Sequence, residues 1–136
     1  MESKKKLSRF EEREQCFLLV FEKIFNPQPL DEVIACAKES RDLDFCDYAF
    51  EVTNGVYNVK DDIDAHISNH LKEGFTINRI SKISLAIMRV AIYEMLYVEK
   101  VPTAVAINEA VELTKKYLPN EKGFVNGVLG AVEKDL

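Results

Sequence analysis

His66 and His70 stand four residues apart, with Asp62 one turn earlier. On a helix that spacing gathers two imidazoles and a carboxylate on one face, an arrangement that can offer ligands to zinc. A hydrolytic HExxH site would need glutamate at position 67, where this chain has Ile67, and no cysteine is close enough in sequence to complete a tetrahedral set. The pair reads as two surface or half-buried histidines, and no metal is expected. Nucleophilic chemistry has no better support, because there is no GxSxG elbow and no serine or cysteine carries a local catalytic signature. Carboxylates are plentiful but scattered over helix faces, where solvation explains them. Neither catalysis nor a cofactor is expected.

Three of the five glycines, Gly123, Gly127 and Gly130, fall in "KGFVNGVLGA". Their order is GxxxGxxG inside a helical pattern with no strand before it, which fits neither a dinucleotide fingerprint nor a P-loop. Each helical glycine costs roughly 1 kcal/mol relative to alanine. Spacing of i, i+4 and i+7 puts all three on or near one face, and a face without side chains lets another helix approach closely. The pattern predicts a tight crossing at Gly127 against the helix of residues 103–117, and predicts that Gly127→Leu destabilises the fold.

The remaining chemistry is charge and aromatic surface. Net charge is −5 over 136 residues, yet Lys4, Lys5, Lys6, Arg9 and Arg13 all lie within the first thirteen positions. Glu2, Glu11 and Glu12 oppose them, so an acidic body carries a modestly basic N-terminal end. On composition alone, a solvated charged helix end is the reading favoured over a phosphate-binding arm.

The elements that position these residues are helices. Every long segment shows the helical period and none shows sustained alternation. Helix is expected over 7–25, where Leu7, Phe10, Phe17, Phe21 and Ile24 share a face, until "NPQP" breaks it. A short helix follows around Leu30 to Ala37, a third from Phe45 to about Tyr57, and a fourth from about Val59 to near Gly74. A turn near 77–80 precedes a central helix within "FTINRISKISLAIMRVAIYEMLY", apolar enough to be buried on more than one side. Thr103 is expected to cap the next helix, and the glycine-bearing helix runs from about 121 to 134. The N-terminal segment "CFLLVFEKIF" is apolar nearly all the way round. Either it threads the middle of the bundle, or it keeps Phe21 or Phe25 for a partner.

With 47% hydrophobic and 30% charged residues, the chain has the composition of one globular domain. No apolar run approaches the roughly 18 residues of a membrane span, and no signal peptide is read. Three cysteines without CxxC spacing read as buried thiols of a cytoplasmic protein.

"ISLAIMRVAIYEMLY", "VPTAVAINEAVELTKKY" and "FVNGVLG" together resemble the NusB family of bacterial transcription antitermination factors. The likeness runs in register from about Arg79 to Gly130 and is looser before it. It implies an all-α fold of about seven helices in two small bundles packed roughly at right angles, about 1–74 and about 75–136 within a single RNA-binding domain. It also implies non-catalytic function. Family members pair with the ribosomal protein NusE, bind boxA RNA and act in the antitermination complex of RNA polymerase, notably on ribosomal RNA operons.

Carried onto this chain, the resemblance points to Lys4, Lys5, Lys6, Arg9, Arg13, Asn120, Lys122 and Phe124 for RNA. For NusE it points to Phe21, Phe25, Ser84 and Met88, and a homodimer could cover the same surfaces. Arg89 and Glu94 are candidates for a structural link between helices, and Asn126 for a structural hydrogen bond. Two departures stand out: Phe10, Glu11 and Glu12 interrupt the basic segment, and Gly123 stands directly before "FVNG", where the family commonly has lysine or arginine. Both predict weaker or more salt-sensitive RNA binding. Alternatives are a divergent paralogue that has lost RNA binding, or the NusB-like module of a ribosomal RNA methyltransferase system. A chain ending at Leu136 leaves no room for the methyltransferase domain itself.

Overall fold

The computed structural model describes residues 6–26, 32 and 45–136, and among these the secondary structure is entirely helical. Among the described residues, six α-helices have defined bounds: α1 (Arg9–Phe25), α2 (Asp47–Asn58), α3 (Lys60–Ser68), α4 (Lys82–Tyr97), α5 (Thr103–Tyr117) and α6 (Lys122–Lys134). Short 3₁₀ turns at Ile77–Arg79 and Pro119–Glu121 introduce α4 and α6. Of the helix expected around Leu30 to Ala37, all but Glu32, which is helical, lies outside the described residues.

Local chemistry explains several boundaries. Ser8 caps α1 reciprocally: its hydroxyl accepts from the Glu11 amide at 3.1 Å, and the Glu11 carboxylate accepts from the Ser8 amide at 2.9 Å. The helix therefore begins at Arg9, two residues later than periodicity suggests. α3 stops at Ser68, well short of Gly74, whose φ of +83° is a left-handed turn conformation that glycine adopts without a Cβ clash. Ser81 caps α4 through the Ser84 amide at 3.2 Å. The expected cap at Thr103 is displaced: Pro102 holds the cap position, and Thr103 is already helical, donating its hydroxyl to Glu133 on α6 at 2.7 Å.

α4 is the spine. Every residue from Ser84 to Ile92 is buried, as is Glu94, and the helix packs against each of the other five. One hydrophobic cluster runs through both halves of the chain, from Cys16, Phe17 and Val20 of α1 to Leu129 and Val132 of α6. Burial pushes the Cys16 thiol well above its usual range, the mark of a packed thiol rather than a nucleophile.

The glycine expectation is overturned. α6 packs through Val125, Val128, Leu129 and Val132, whereas Gly127 is exposed and a Cβ built there meets nothing within 4 Å. Gly123 and Gly130 are equally unobstructed. The close approach in this fold is at Gly55 on α2, where a Cβ would fall 2.2 Å from the Tyr93 ring of α4.

Candidate nucleic-acid interface

Interior ion pairs set the frame that carries the surface residues. Arg89 of α4 makes a two-pronged pair with Asp64 of α3, Nε and one terminal nitrogen each donating at 2.9 Å. Arg13 of α1 donates through Nε to both carboxylate oxygens of Glu94, at 3.1 and 3.0 Å, and the Tyr48 hydroxyl of α2 donates to the same carboxylate. Burial, reinforced by that hydrogen bond, pushes the Tyr48 phenol far above its ordinary range. Arg89 and Glu94 thus do link helices, each through a different partner and not with one another.

Arg13 is only 6% exposed, so the RNA contact expected of it is corrected to an interior role. A guanidinium on the inward face of α1 cannot reach phosphate without abandoning Glu94. Lys4 and Lys5 lie outside the described residues. Lys6 is exposed, and so is Arg9, whose side chain is 75% exposed although Glu12 lies 3.4 Å away.

The second half of the expected RNA surface is the turn between α5 and α6. Glu14 of α1 accepts hydrogen bonds from both Lys116 and Tyr117 at the end of α5, and the Tyr117 ring lies 4.9 Å from that of Phe17. Arg9 lies five residues before Glu14 along α1, and Asn120 three residues beyond Tyr117. Asn120 and Lys122 are exposed there. Glu121 between them turns inward and accepts from the hydroxyls of Ser81, at 2.8 Å, and Ser84 at the start of α4. A carboxylate at a helix N-terminus is favoured by the helix dipole.

Phe124 is half-buried, its ring 5.8 Å from that of Phe75. The Arg79 guanidinium lies 5.5 Å from the centroid of the Phe75 ring. Periodicity missed this group, because Phe75 and Arg79 belong to a turn and a 3₁₀ segment and not to a helix stripe. Like His66, His70 is half-buried, as the sequence predicts. It lies beyond the end of α3, with Nδ1 2.7 Å from the His66 carbonyl and Nε2 on the Asp135 carboxylate. Asp62 instead accepts from Tyr97 at 3.0 Å. Both ring nitrogens of His70 face acceptors, first the His66 carbonyl and then the Asp135 carboxylate; only the protonated ring can donate to both, which raises its pKa.

The expected partner surface divides. Phe17, Phe21 and Phe25 form a row along α1 with centroid spacings of 5.9 and 5.1 Å. It leads from the core to the surface, where Phe25 is 62% exposed. Ser84 and Met88 are each 0% exposed, so the partner contacts expected of them are corrected: both point from α4 into the protein interior. Beside Ile24, a hollow lined by Lys23, Lys60, Lys82 and Arg89 has Asp64 as its carboxylate.

Residues 10–134 match the model of the NusB family. The transcription antitermination protein NusB of Clostridium novyi is 40% identical over 134 residues, covering 94% of this chain and 99% of that one. The NusB of Enterococcus faecalis is 39% identical, covering 98% and 94%. Among solved structures, T. maritima NusB superposes with a TM-score of 0.79 at 30% identity, covering 96% of this chain and 93% of that chain. A crystal structure of antitermination factors NusB and NusE in complex with dsRNA gives the same TM-score of 0.79 at 24% identity, covering 96% of this chain and all of that one, and supports the fold. The protein belongs to the NusB family.

Proposed function

We propose that this protein is a non-catalytic transcription antitermination factor of the cytoplasm. It pairs with NusE, binds boxA-containing RNA and joins the antitermination complex of RNA polymerase. The observation that carries the reading is kinship with antitermination proteins along nearly the whole chain. The surface is compatible with it: Lys6, Arg9, Asn120, Lys122 and Phe124 present cations, an amide and an aromatic ring on exposed or half-exposed positions. In this reading Lys4 and Lys5 extend the cationic end, and the Phe21–Phe25 row with its neighbouring basic hollow receives NusE. No helix among the described residues is long and apolar enough to cross a membrane.

Phosphate contacts displace counterions, so affinity should fall steeply with salt, by roughly 0.7 in the logarithmic slope for each single-strand phosphate neutralised. The test is a titration of labelled boxA RNA and a scrambled control, with and without NusE, across a salt series. Tighter binding to boxA with NusE present is the expected result. Equal affinity with and without NusE overturns the pairing. No RNA binding in any condition favours a paralogue that kept the fold and lost the ligand.

A further inference from the structure

The hollow beside Ile24 gathers positive charge on a protein that is acidic as a whole. It has a volume of 470 Å³, inside the range of about 300–1,000 Å³ usual for binding pockets. Lys23 of α1, Lys60 of α3, and Lys82 and Arg89 of α4 line it, against the single lining carboxylate of Asp64. The whole chain carries a net charge of −5. Four cations around one acid therefore run counter to the rest of the molecule.

That acid is already engaged. Arg89, only 8% exposed, donates to both Asp64 oxygens at 2.9 Å. The three lysines remain in excess. Lys60 comes within 3.6 Å of Asp64 and 3.7 Å of Asp61, a carboxylate fully in solvent. Lys23 lies 5.1 Å from the centroid of the Tyr57 ring. Lys82 is exposed at the first position of α4, directly after the Ser81 cap. The positive end of the helix dipole disfavours a cation there. A charge set against a local rule points to a functional role.

The walls select the kind of anion. Between the cations the lining is apolar, supplied by Ile24, Ile77, Leu85 and the Tyr57 ring. A carboxylate on a short alkyl stem matches this, with the stem against the walls and the oxygens paired to ammonium groups. A nucleic-acid strand instead needs a track of cations along its row of phosphates, whereas these gather around one hollow. Ile24 also stands three residues from Phe21, on the same side of α1, so the hollow adjoins the aromatic row.

We propose that this hollow receives one acidic side chain of the protein partner, its carboxylate among Lys23, Lys60 and Lys82. The inference rests on the NusE pairing above and deepens it: the aromatic row supplies apolar contact, and the three lysines choose a partner that brings an acid to this point. Specificity arises because a partner with a neutral or basic residue there would leave the cations unpaired.

Lys82→Glu tests this without threatening the fold, since a carboxylate suits the N-terminus of α4. Its thermal midpoint should equal or exceed the parent's. Its affinity for NusE should fall by about tenfold or more, because like charges then meet. The deficit should shrink as salt rises. Among NusE variants with single aspartates or glutamates changed to lysine, one should bind the parent poorly and Lys82→Glu well. That exchange would identify the acid, and a merely structural lysine would not produce it. Parent-like NusE affinity in Lys82→Glu overturns the proposal while leaving the pairing intact. Weakened binding that no single exchange restores overturns it as well. Loss of boxA RNA affinity in place of NusE affinity overturns it in favour of a phosphate contact. A parent that does not bind NusE removes the pairing itself.

Discussion

Arg13 and Glu94, eighty-one residues apart, form an ion pair in the interior, Nε reaching both carboxylate oxygens at 3.1 and 3.0 Å while Tyr48 donates from a third helix. The pair joins α1 to the spine of the fold. Removing one member leaves the other charge buried without compensation, which costs about 3–5 kcal/mol. Arg13→Ala and Glu94→Gln should each lower the free energy of unfolding by that order, read from the shift of the urea midpoint. Any loss of RNA binding in Arg13→Ala should track the unfolded fraction. A stable variant with selectively lost RNA affinity would return Arg13 to the surface.

Gly55 and Tyr93 supply the close contact that the α6 glycines lack. Gly55→Ala should destabilise by about 1–3 kcal/mol through overpacking, outweighing its gain in helix propensity. When Tyr93 is first truncated to alanine, the same Gly55 change should cease to destabilise. Melts of the four proteins in that cycle decide it.

His70 introduces a pH dependence whose sign is fixed. Its pKa is raised, first by the His66 carbonyl and then by Asp135. The stabilisation is therefore fully present below the ordinary histidine value of about 6.5 and is lost as pH rises through the elevated folded value. The gap in thermal midpoint between the parent and His70→Gln should be widest in mild acid and close on the alkaline side. A gap independent of pH would show that the charged form contributes nothing.

Phe25 and Met88 should behave oppositely, although the family resemblance assigns both to the partner. Phe25→Ala removes a largely exposed ring and should leave stability within about 0.5 kcal/mol of the parent while weakening NusE binding. Met88→Ala opens a cavity under α4 and should cost about 2–5 kcal/mol. Calorimetry with NusE, read beside denaturant curves, separates the two.

The helical class, the central place of residues 83–97 and the family itself were all legible in the sequence, because helical periodicity and the C-terminal motifs are local signals. The direction of individual side chains was less so. Ser84, Met88 and Arg13 lie in segments with apolar residues on more than one side, where a periodic pattern does not say which face meets the core. Arg13 carries a further ambiguity: a charge near a chain end looks solvated until a distant carboxylate is found to face it. The glycine stripe was misread because sequence alone cannot tell a face left bare for a neighbouring helix from one that faces open space. The Phe75–Arg79 stack was invisible because it is built from turns.

Glu121 has one more consequence. Its carboxylate holds Ser81 and Ser84, so the turn that displays Asn120 and Lys122 is fastened to the most deeply buried of the described helices. Its backbone is already in place before any RNA arrives. A ligand docking there has only side chains to immobilise, at about 0.5–1.5 kcal/mol each, and is spared the larger entropic cost of ordering a loop. Cutting that tether with Glu121→Ala should therefore slow RNA association and weaken affinity without touching a single RNA contact.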